Sequence, residues 1–220
     1  MYTPPAFRTD EATAWEFVCR RGFGTVVAIQ NGDLIASHVP FLAKADADGR
    51  RLALHVARAN PLGEVIATAP RVLVIVAGPD SYISPDWYVS ENQVPTWNYV
   101  AVHLAGTARV LPQNVALDHV EALSARFEAR LAPKRPWSTA KMPSAQRDRM
   151  LAAITPIEIS VAAIEAQWKL GQHKPPPDQD SVTRILGWHG DWSGGALAEM
   201  MRARAMLSGE ARCPEEETER

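Results

Sequence analysis

The stretch His55-Val56-Ala57-Arg58-Ala59-Asn60-Pro61 marks the point where an apolar strand, predicted over 51–56, runs into a short helix. Pro61 suits the first helical position, where its missing N–H is no loss. A helix N-terminus presents backbone N–H groups, and the Arg58 guanidinium beside it would add a charge for holding a phosphate. Taken alone, an ordinary strand-to-helix cap is the commoner explanation, and the rest of the chain must decide.

Composition places this chain among ordinary globular proteins. It has 220 residues, 46% of them hydrophobic, and a net charge of −2, which suits either one domain of generous size or a domain with appendages. No apolar run reaches membrane-spanning length, and Met1–Pro5 lacks the pattern of a signal peptide. Together with only two cysteines, Cys19 and Cys213, these features predict a cytoplasmic protein without membrane association. The charge balance argues against a dedicated DNA-binding surface but allows a local basic patch.

The order of elements predicts an α+β fold around an antiparallel sheet. A helix ending at Gly22 precedes two strands that flank Asn31-Gly32, a strong hairpin signal. Short spacings favour a small closed barrel over a doubly wound sheet, and no glycine-rich nucleotide motif occurs. The strands are predicted at 23–30, 34–42, 51–56, 71–77, 99–111 and 157–170, and the main helices at 61–68, 115–131 and 144–154. The run 71–77 is continuously apolar, which predicts burial on both faces.

The C-terminal part of the sequence changes character at three consecutive prolines. Pro175–Pro177 is expected to break the chain, and two short helices are predicted at 181–186 and 196–207. From Ser208 the sequence is acidic and lacks large apolar residues, which predicts a disordered tail. The expected organisation is therefore a barrel domain over 1–174, a helical extension over 175–207 and an acidic tail over 208–220.

Five separated motifs carry a specific resemblance. They are Ser37-His38-Val39-Pro40-Phe41, His55 to Pro61, Tyr82-Ile83-Ser84-Pro85-Asp86-Trp87-Tyr88, Val94-Pro95-Thr96-Trp97-Asn98-Tyr99 and Lys169-Leu170-Gly171-Gln172. In this order and spacing they resemble the FMN-binding negative transcriptional regulators of the PaiB type. That family lies within the split-barrel flavoproteins, alongside pyridoxamine phosphate oxidases and flavin-reductase-like proteins. The resemblance covers almost everything from Met1 to about Met206.

The resemblance implies a six-stranded antiparallel split β-barrel with flanking helices, FMN as cofactor, and a homodimer in which each flavin lies between two protomers. It also implies DNA or a regulatory protein as a further partner. The flavin phosphate would sit at the junction of His55 to Pro61, and the ring would lean on strand 36–41. The family usually has serine where this chain has Gly171. Leu62 falls where the wider group aligns a lysine, which leaves more of the charge to Arg58.

The residues expected to bind the cofactor follow from this placement. They are Ser37, His38, Val39, His55, Arg58, Asn60, Pro61, Trp97, Asn98, Trp168, Lys169 and Gln172. For the two tryptophans, packing in the core or in a dimer interface is as plausible as a wall for the ring. His38 and His55 could face one cavity, although a satisfied structural histidine is the simpler explanation for His38. No metal site and no catalytic residue are predicted.

The motifs leave three functions open. In the first, FMN is a structural or sensing ligand of a negative transcriptional regulator. In the second, the protein is a flavin-dependent oxidoreductase that uses NADH or NADPH, so its status as an enzyme is undecided. In the third, it is a haem-binding split barrel with His38, His55 or His173 as axial ligand. No helix-turn-helix with a basic recognition helix is visible, so regulation is implied by the resemblance and not by the residues themselves.

Overall fold

A computed structural model describes residues 1–189 and 193–209 of the chain. In this part of the chain the six strands are β1 Phe23–Gln30, β2 Asp33–Asp46, β3 Gly49–Ala57, β4 Arg71–Ile83, β5 Thr96–Val110 and β6 Ile154–Lys169. The α-helices are α1 Glu11–Arg21, α2 Leu62–Thr68, α3 Ala116–Glu128, α4 Ser144–Ala152, α5 Pro176–His189 and α6 Gly194–Gly209.

The strands form a closed barrel in the order β1-β2-β3-β6-β5-β4. Neighbouring strands are antiparallel, with Phe23 opposite Pro40 in the β1–β2 pair and Leu54 opposite both Phe41 of β2 and Ile157 of β6. The predicted α+β class and six-stranded antiparallel split barrel are therefore confirmed. Every predicted strand is present, although β2, β3, β4, β5 and β6 each extend beyond their predicted bounds at one end or both.

Local sequence signals explain the first elements of the barrel. Asp10 caps α1, accepting the Thr13 N–H at 2.8 Å, and Gly22 ends the helix in the left-handed conformation. Asn31 and Gly32 have φ angles of 51° and 94°. Two consecutive positive φ angles are what a two-residue turn with the twist of a hairpin requires. The sequence therefore specified the start of the barrel through its turns and caps.

Alternating side chains fill the barrel. Val72, Val74 and Val76 of β4 are buried, whereas Leu73 and Ile75 between them are only half-buried. The prediction that this strand is buried on both faces was therefore wrong. Gly106 of β5 permits a close approach of two strands, because a Cβ at this position would lie 2.4 Å from the Ser160 carbonyl oxygen of β6.

Several predicted boundaries were also wrong. Pro61 is the N-cap of α2 and not its first residue, which is Leu62. The segment after residue 79 continues as strand to Ile83 before a short 3-10 helix over Pro85–Trp87. The proline run does not break the chain, because α5 begins at Pro176 and a helix tolerates proline in its first turn. Helix α6 continues to Gly209, and the rest of the predicted acidic tail lies outside the described residues.

The described chain divides into two compact units. One unit comprises 1–9, 77–101 and the part of the chain after 165, and the other comprises 10–76 and 102–165. We call the first the terminal unit and the second the barrel unit. Among the described residues, no helix combines the length and the apolar character that crossing a membrane requires.

Candidate functional site

The barrel unit contains seven of the twelve predicted site residues, and Arg58 is the most distinctive of them. Its guanidinium donates from Nε to the Ala152 carbonyl at 2.7 Å and from Nη2 to Gln113 Oε1 at 2.8 Å. Its backbone N–H donates to the Ala153 carbonyl at 2.8 Å. The side chain remains exposed, and no carboxylate in the described part of the chain forms an ion pair with it. Arg58 is thus a fixed cation whose charge is not neutralised locally.

Asn60 shapes the turn that follows Arg58. Its Oδ1 accepts the Leu62 N–H at 2.9 Å, and its Nδ2 donates to Ser37 Oγ on β2 at 3.0 Å. Its own N–H donates to the Ala57 carbonyl at 2.8 Å. The structure therefore brings Ser37 of β2 together with Asn60, which lies two residues after Arg58 in the chain, and their role at the cofactor remains a prediction. Asn60 already accepts the first N–H of α2. An anion at this junction would therefore be bound mainly by side chains and not by backbone N–H groups of the helix.

The surroundings of Leu62 explain why this chain has leucine at the position where the wider group aligns a lysine. The side chain is completely buried in the core. A lysine there would place an ammonium group in an apolar environment, which is costly without a partner. In this chain the position belongs to the packing of α2 and supplies no charge to the junction.

His55 faces away from the barrel core and meets a histidine that the sequence analysis did not single out. Its Nδ1 lies 3.0 Å from Nε2 of His119 on α3, and the rings are edge to face with centroids 5.1 Å apart. Burial lowers the pKa of both histidines. For His119, burial, His55 and Lys44 together lower the pKa to about 4. His55 therefore joins strand β3 to α3 as a neutral imidazole near neutral pH.

His38 and Val39 have different surroundings although they are adjacent on β2. His38 is exposed, and its Nδ1 lies 2.8 Å from Thr25 Oγ1 on β1. Val39 is 4% exposed and belongs to the core. Side chains at adjacent strand positions point to opposite faces, so these two cannot contact one ligand face together. Their predicted roles at the cofactor remain predictions.

The terminal unit contains the other five predicted residues. Lys169 Nζ lies 2.5 Å from Thr96 Oγ1, and burial lowers the pKa of this lysine. Gln172 is fully engaged: its Oε1 accepts the Leu170 N–H at 2.8 Å, and its Nε2 donates to the carbonyls of Trp168 and Ala6 at 2.6 and 2.9 Å. The Gln172 amide thus holds the turn after β6 in place.

Gly171 lies in the same turn and has a φ of +73°. L-residues with a side chain adopt this left-handed conformation at a cost, whereas glycine does not. A Cβ at this position would lie 3.5 Å from Asn98 Nδ2, a contact that leaves space for a small side chain. The backbone conformation therefore explains the glycine that departs from the family's usual serine.

The two tryptophans of the predicted site differ in exposure. Trp168 is 5% exposed, and Trp97 is 50% exposed with its ring 6.3 Å from that of Tyr82 in an edge-to-face arrangement. Asn98, which follows Trp97 in the sequence, is buried, and its Nδ2 lies 3.7 Å from Met201 Sδ. Core packing therefore accounts for Trp168, whereas Trp97 presents an aromatic surface.

FMN requires a cationic donor for its phosphate and an apolar surface for its ring. The barrel unit supplies the Arg58 guanidinium, which is fixed by hydrogen bonds, exposed, and without an ion pair among the described residues. It also supplies the Ser37 hydroxyl and the Asn60 amide, which lie next to each other. This donor set fits a phosphate. In the terminal unit, Lys169 and Trp97 supply a half-buried cation and an exposed aromatic ring.

Sequence reasoning missed the residues that hold the site in shape. Gln113 and the carbonyls of Ala152 and Ile154 fix Arg58, and His119 meets His55. These partners lie 55 to 96 residues away along the chain, and no local pattern distinguishes them. Among the described residues, no group of three or more histidine, cysteine or acidic side chains is arranged to hold a metal ion.

The fold and the phosphate-suited junction define the class of protein: this is a split-barrel protein of the flavoprotein type. The family model described as "Putative FMN-binding domain" matches residues 1–163. The chain is also 32% identical over 202 residues to "Protease synthase and sporulation protein PAI 2" of Bacillus subtilis (strain 168), covering 91% of this chain and 96% of the relative. The chain belongs to this FMN-binding family.

Solved structures support the fold independently. The FAD and haem binding protein from Mycobacterium smegmatis aligns with a TM-score of 0.53 at 18% identity, covering 85% of this chain and 81% of that one. The flavocytochrome Anf3 from Azotobacter vinelandii aligns with a TM-score of 0.54 at 16% identity, covering 79% and 73%. At these identities the likeness concerns the fold alone.

The predicted family, the split-barrel fold and FMN as the family's ligand are confirmed, and neither alternative function is favoured over the first.

Proposed function

We propose that this protein binds FMN as a homodimer and acts as a negative regulator of transcription, with the flavin as a structural or sensing ligand. The observation that carries the proposal is the fixed and unneutralised Arg58 at the β3–α2 junction. The resemblance to PaiB-type regulators, together with the relative that matches almost its entire length, supports the regulatory part. Placement in the cytoplasm is part of the same proposal.

The binding step follows from the chemistry of the donors. Arg58 would neutralise the phosphate, and Ser37 and Asn60 would donate hydrogen bonds to its oxygens. When bound, FMN would supply a ring that can change its redox state. The protein's contribution at the described residues is to hold the phosphate, because two carbonyl groups and Gln113 fix the guanidinium before any ligand arrives.

The homodimer is supported by the outer surface of β1, β2 and β4. Ile29 is opposite Leu34 in the β1–β2 pair, and the two are 56% and 75% exposed. Val27 is opposite both Ala36 and Leu73 on the same face. An antiparallel sheet with one face in water normally alternates apolar and polar residues, whereas this part of the outer face is apolar up to the Thr25–His38 pair. A second copy of the chain is the partner that we propose for this surface.

An absorption spectrum tests the cofactor. After FMN is added and excess ligand is removed, the purified protein should show the flavin absorption band in the blue region of the visible spectrum. Slow or no bleaching with NADPH would support a structural or sensing flavin, and rapid bleaching would support the oxidoreductase. A Soret band on addition of haem, without retention of FMN, would contradict the proposal.

The oligomeric state tests the dimer. We expect the wild type to sediment as a dimer and Leu34→Glu to sediment as a monomer, because a charge placed in an apolar interface is left unpaired. Met150→Glu is the matched control, since Met150 is 57% exposed and belongs to α4, not to the strands of this surface. A monomeric wild type, or dissociation of both variants alike, would contradict the dimer.

A further inference from the structure

Positive charge is concentrated where α1 and α3 end, in a chain whose net charge is −2. Arg20 and Arg21 form the last turn of α1, and Arg126 is in the last turn of α3. Three more cations follow α3 in the chain. We call the set the basic patch, and it consists of Arg20, Arg21, Arg126, Arg130, Lys134 and Arg135, all within the barrel unit.

Hydrogen bonds between the two helix ends hold part of the patch together. Arg126 Nη2 donates to the Cys19 carbonyl at 3.2 Å, and Arg130 donates to the Arg20 carbonyl. The Arg130 guanidinium also lies 4.7 Å from the centre of the Phe127 ring. Two arginines thus satisfy carbonyl groups at the end of α1, which have no partner within the helix. Their positions are fixed by the fold.

Capping of α1 accounts for only these two arginines. Lys134 forms an ion pair with Glu128, which also accepts the Trp137 N–H at 2.8 Å. Within the described part of the chain, Arg20 and Arg135 form no ion pair. Two other carboxylates lie near the patch in sequence: Glu16, one turn before Arg20 on α1, and Glu121, five residues before Arg126 on α3, which accepts a hydrogen bond from Thr139. Arg20 and Arg135 are thus exposed cations that, within the described part of the chain, neither cap a helix nor form an ion pair, so the packing of the helices does not explain them.

We propose that the basic patch binds the phosphate backbone of double-stranded DNA. The proposal rests on the proposed function, because a regulator of transcription supplies the reason for a nucleic-acid partner. Guanidinium groups match phosphate geometry, and duplex DNA presents about one negative charge per 1.7 Å of helix axis. The patch consists of two helix C-terminal ends and the chain that follows α3, so it presents separate charges and not the N-terminal part of a recognition helix. It therefore contacts phosphates and not base edges, so its contribution tolerates changes of DNA sequence and falls steeply with salt.

Fluorescence anisotropy with a labelled duplex of about 30 base pairs, at salt concentrations from about 50 to 200 mM, tests the patch. Arg20→Gln with Arg135→Gln removes two charges that cap nothing. We expect affinity to fall about tenfold at low salt, and the slope of log affinity against log salt to decrease by about 2, since each phosphate contact contributes about 0.9. Arg184→Gln with Arg202→Gln, on α5 and α6, is the matched control and should bind as the wild type does.

The double lysine variant, Arg20→Lys with Arg135→Lys, keeps the charge and should retain the wild-type salt slope. Unchanged DNA binding by the glutamine variant at every salt concentration would overturn the proposal, as would an equal loss in the control pair. Tighter binding to anionic phosphatidylserine vesicles than to the duplex would also overturn it. FMN absorbance is recorded on the same samples: retained FMN without DNA binding refutes the patch alone, whereas lost FMN with DNA binding refutes the cofactor part of the proposed function.

Discussion

Two motifs that support the family assignment use their polar residues in opposite ways. In the His55–Pro61 motif, the Arg58 side chain is fixed by distant carbonyls and still presents an unneutralised charge to solvent. In the Lys169–Gln172 motif, the Gln172 amide uses both its oxygen and its nitrogen within the protein. Motif residues are thus of two kinds, those that present a group to a ligand and those that build the turn. Membership of a motif does not tell them apart.

His119, which contacts the histidine of the first motif, is expected to show the largest effect. His119 has a pKa of about 4 in the fold against 6.5 when unfolded, so the unfolded chain binds more protons between these values. Stability should therefore be fully present above about pH 6.5 and decrease by roughly 2–3 kcal/mol as the pH falls to about 4. Urea unfolding of the wild type and of His119→Gln at several pH values measures this. If the free energy of unfolding of the wild type and of His119→Gln falls equally with pH, protonation at the His55–His119 contact is not the cause.

Removal of Arg58 should mainly affect the ligand. Arg58→Ala is expected to weaken FMN binding by roughly 1.5–3 kcal/mol, about tenfold to a hundredfold, because a charge-assisted hydrogen bond to the phosphate is lost. Fluorescence quenching on titration with FMN measures the affinity. The control is Arg109→Ala, which removes another exposed arginine of the barrel unit, paired with Glu158. Equal affinity in both variants would remove Arg58 from the phosphate site.

Removal of Gln172 should mainly affect stability. Gln172→Ala leaves the Leu170 N–H and two carbonyl groups without their partner, which we expect to lower the free energy of unfolding by about 2 kcal/mol. Gln179→Ala, which loses a single bond to the Lys174 carbonyl, should cost clearly less. Thermal and urea unfolding measure both variants. A Gln172 variant of wild-type stability that no longer binds FMN would reverse the contrast between the two motifs.

The glycine of the second motif should show the smallest effect. Gly171→Ala forces an alanine into a φ of +73° and should cost about 1 kcal/mol of stability. Gly63→Ala, in α2 with its nearest neighbour 3.6 Å from the added Cβ, should be neutral or slightly stabilising. The same unfolding assay compares the two substitutions. An equal response would mean that Gly171 is retained for a reason other than its backbone conformation.

Much of the fold was predictable because its signals are local. The cap at Asp10, the glycine at 22 and the Asn31-Gly32 turn each act over a few residues, and all behave as their chemistry predicts. Boundaries were less predictable where tertiary contacts extend a strand, as in β4, or where proline was taken as a break and instead begins α5. The twelve site residues were found only as members of motifs, and their individual environments were not predicted.

The sequence by itself determined the order of the strands and helices, the hairpin turn and the family, because turn chemistry, apolar periodicity and motif order are written in neighbouring residues. Only the tertiary structure decided which polar groups remain available. Ala152 and Ile154 fix Arg58 from 94 and 96 residues away, and His119 meets His55 across 64. A side chain is free or engaged according to what the fold brings to it, and such long-range partners leave no local trace in the sequence.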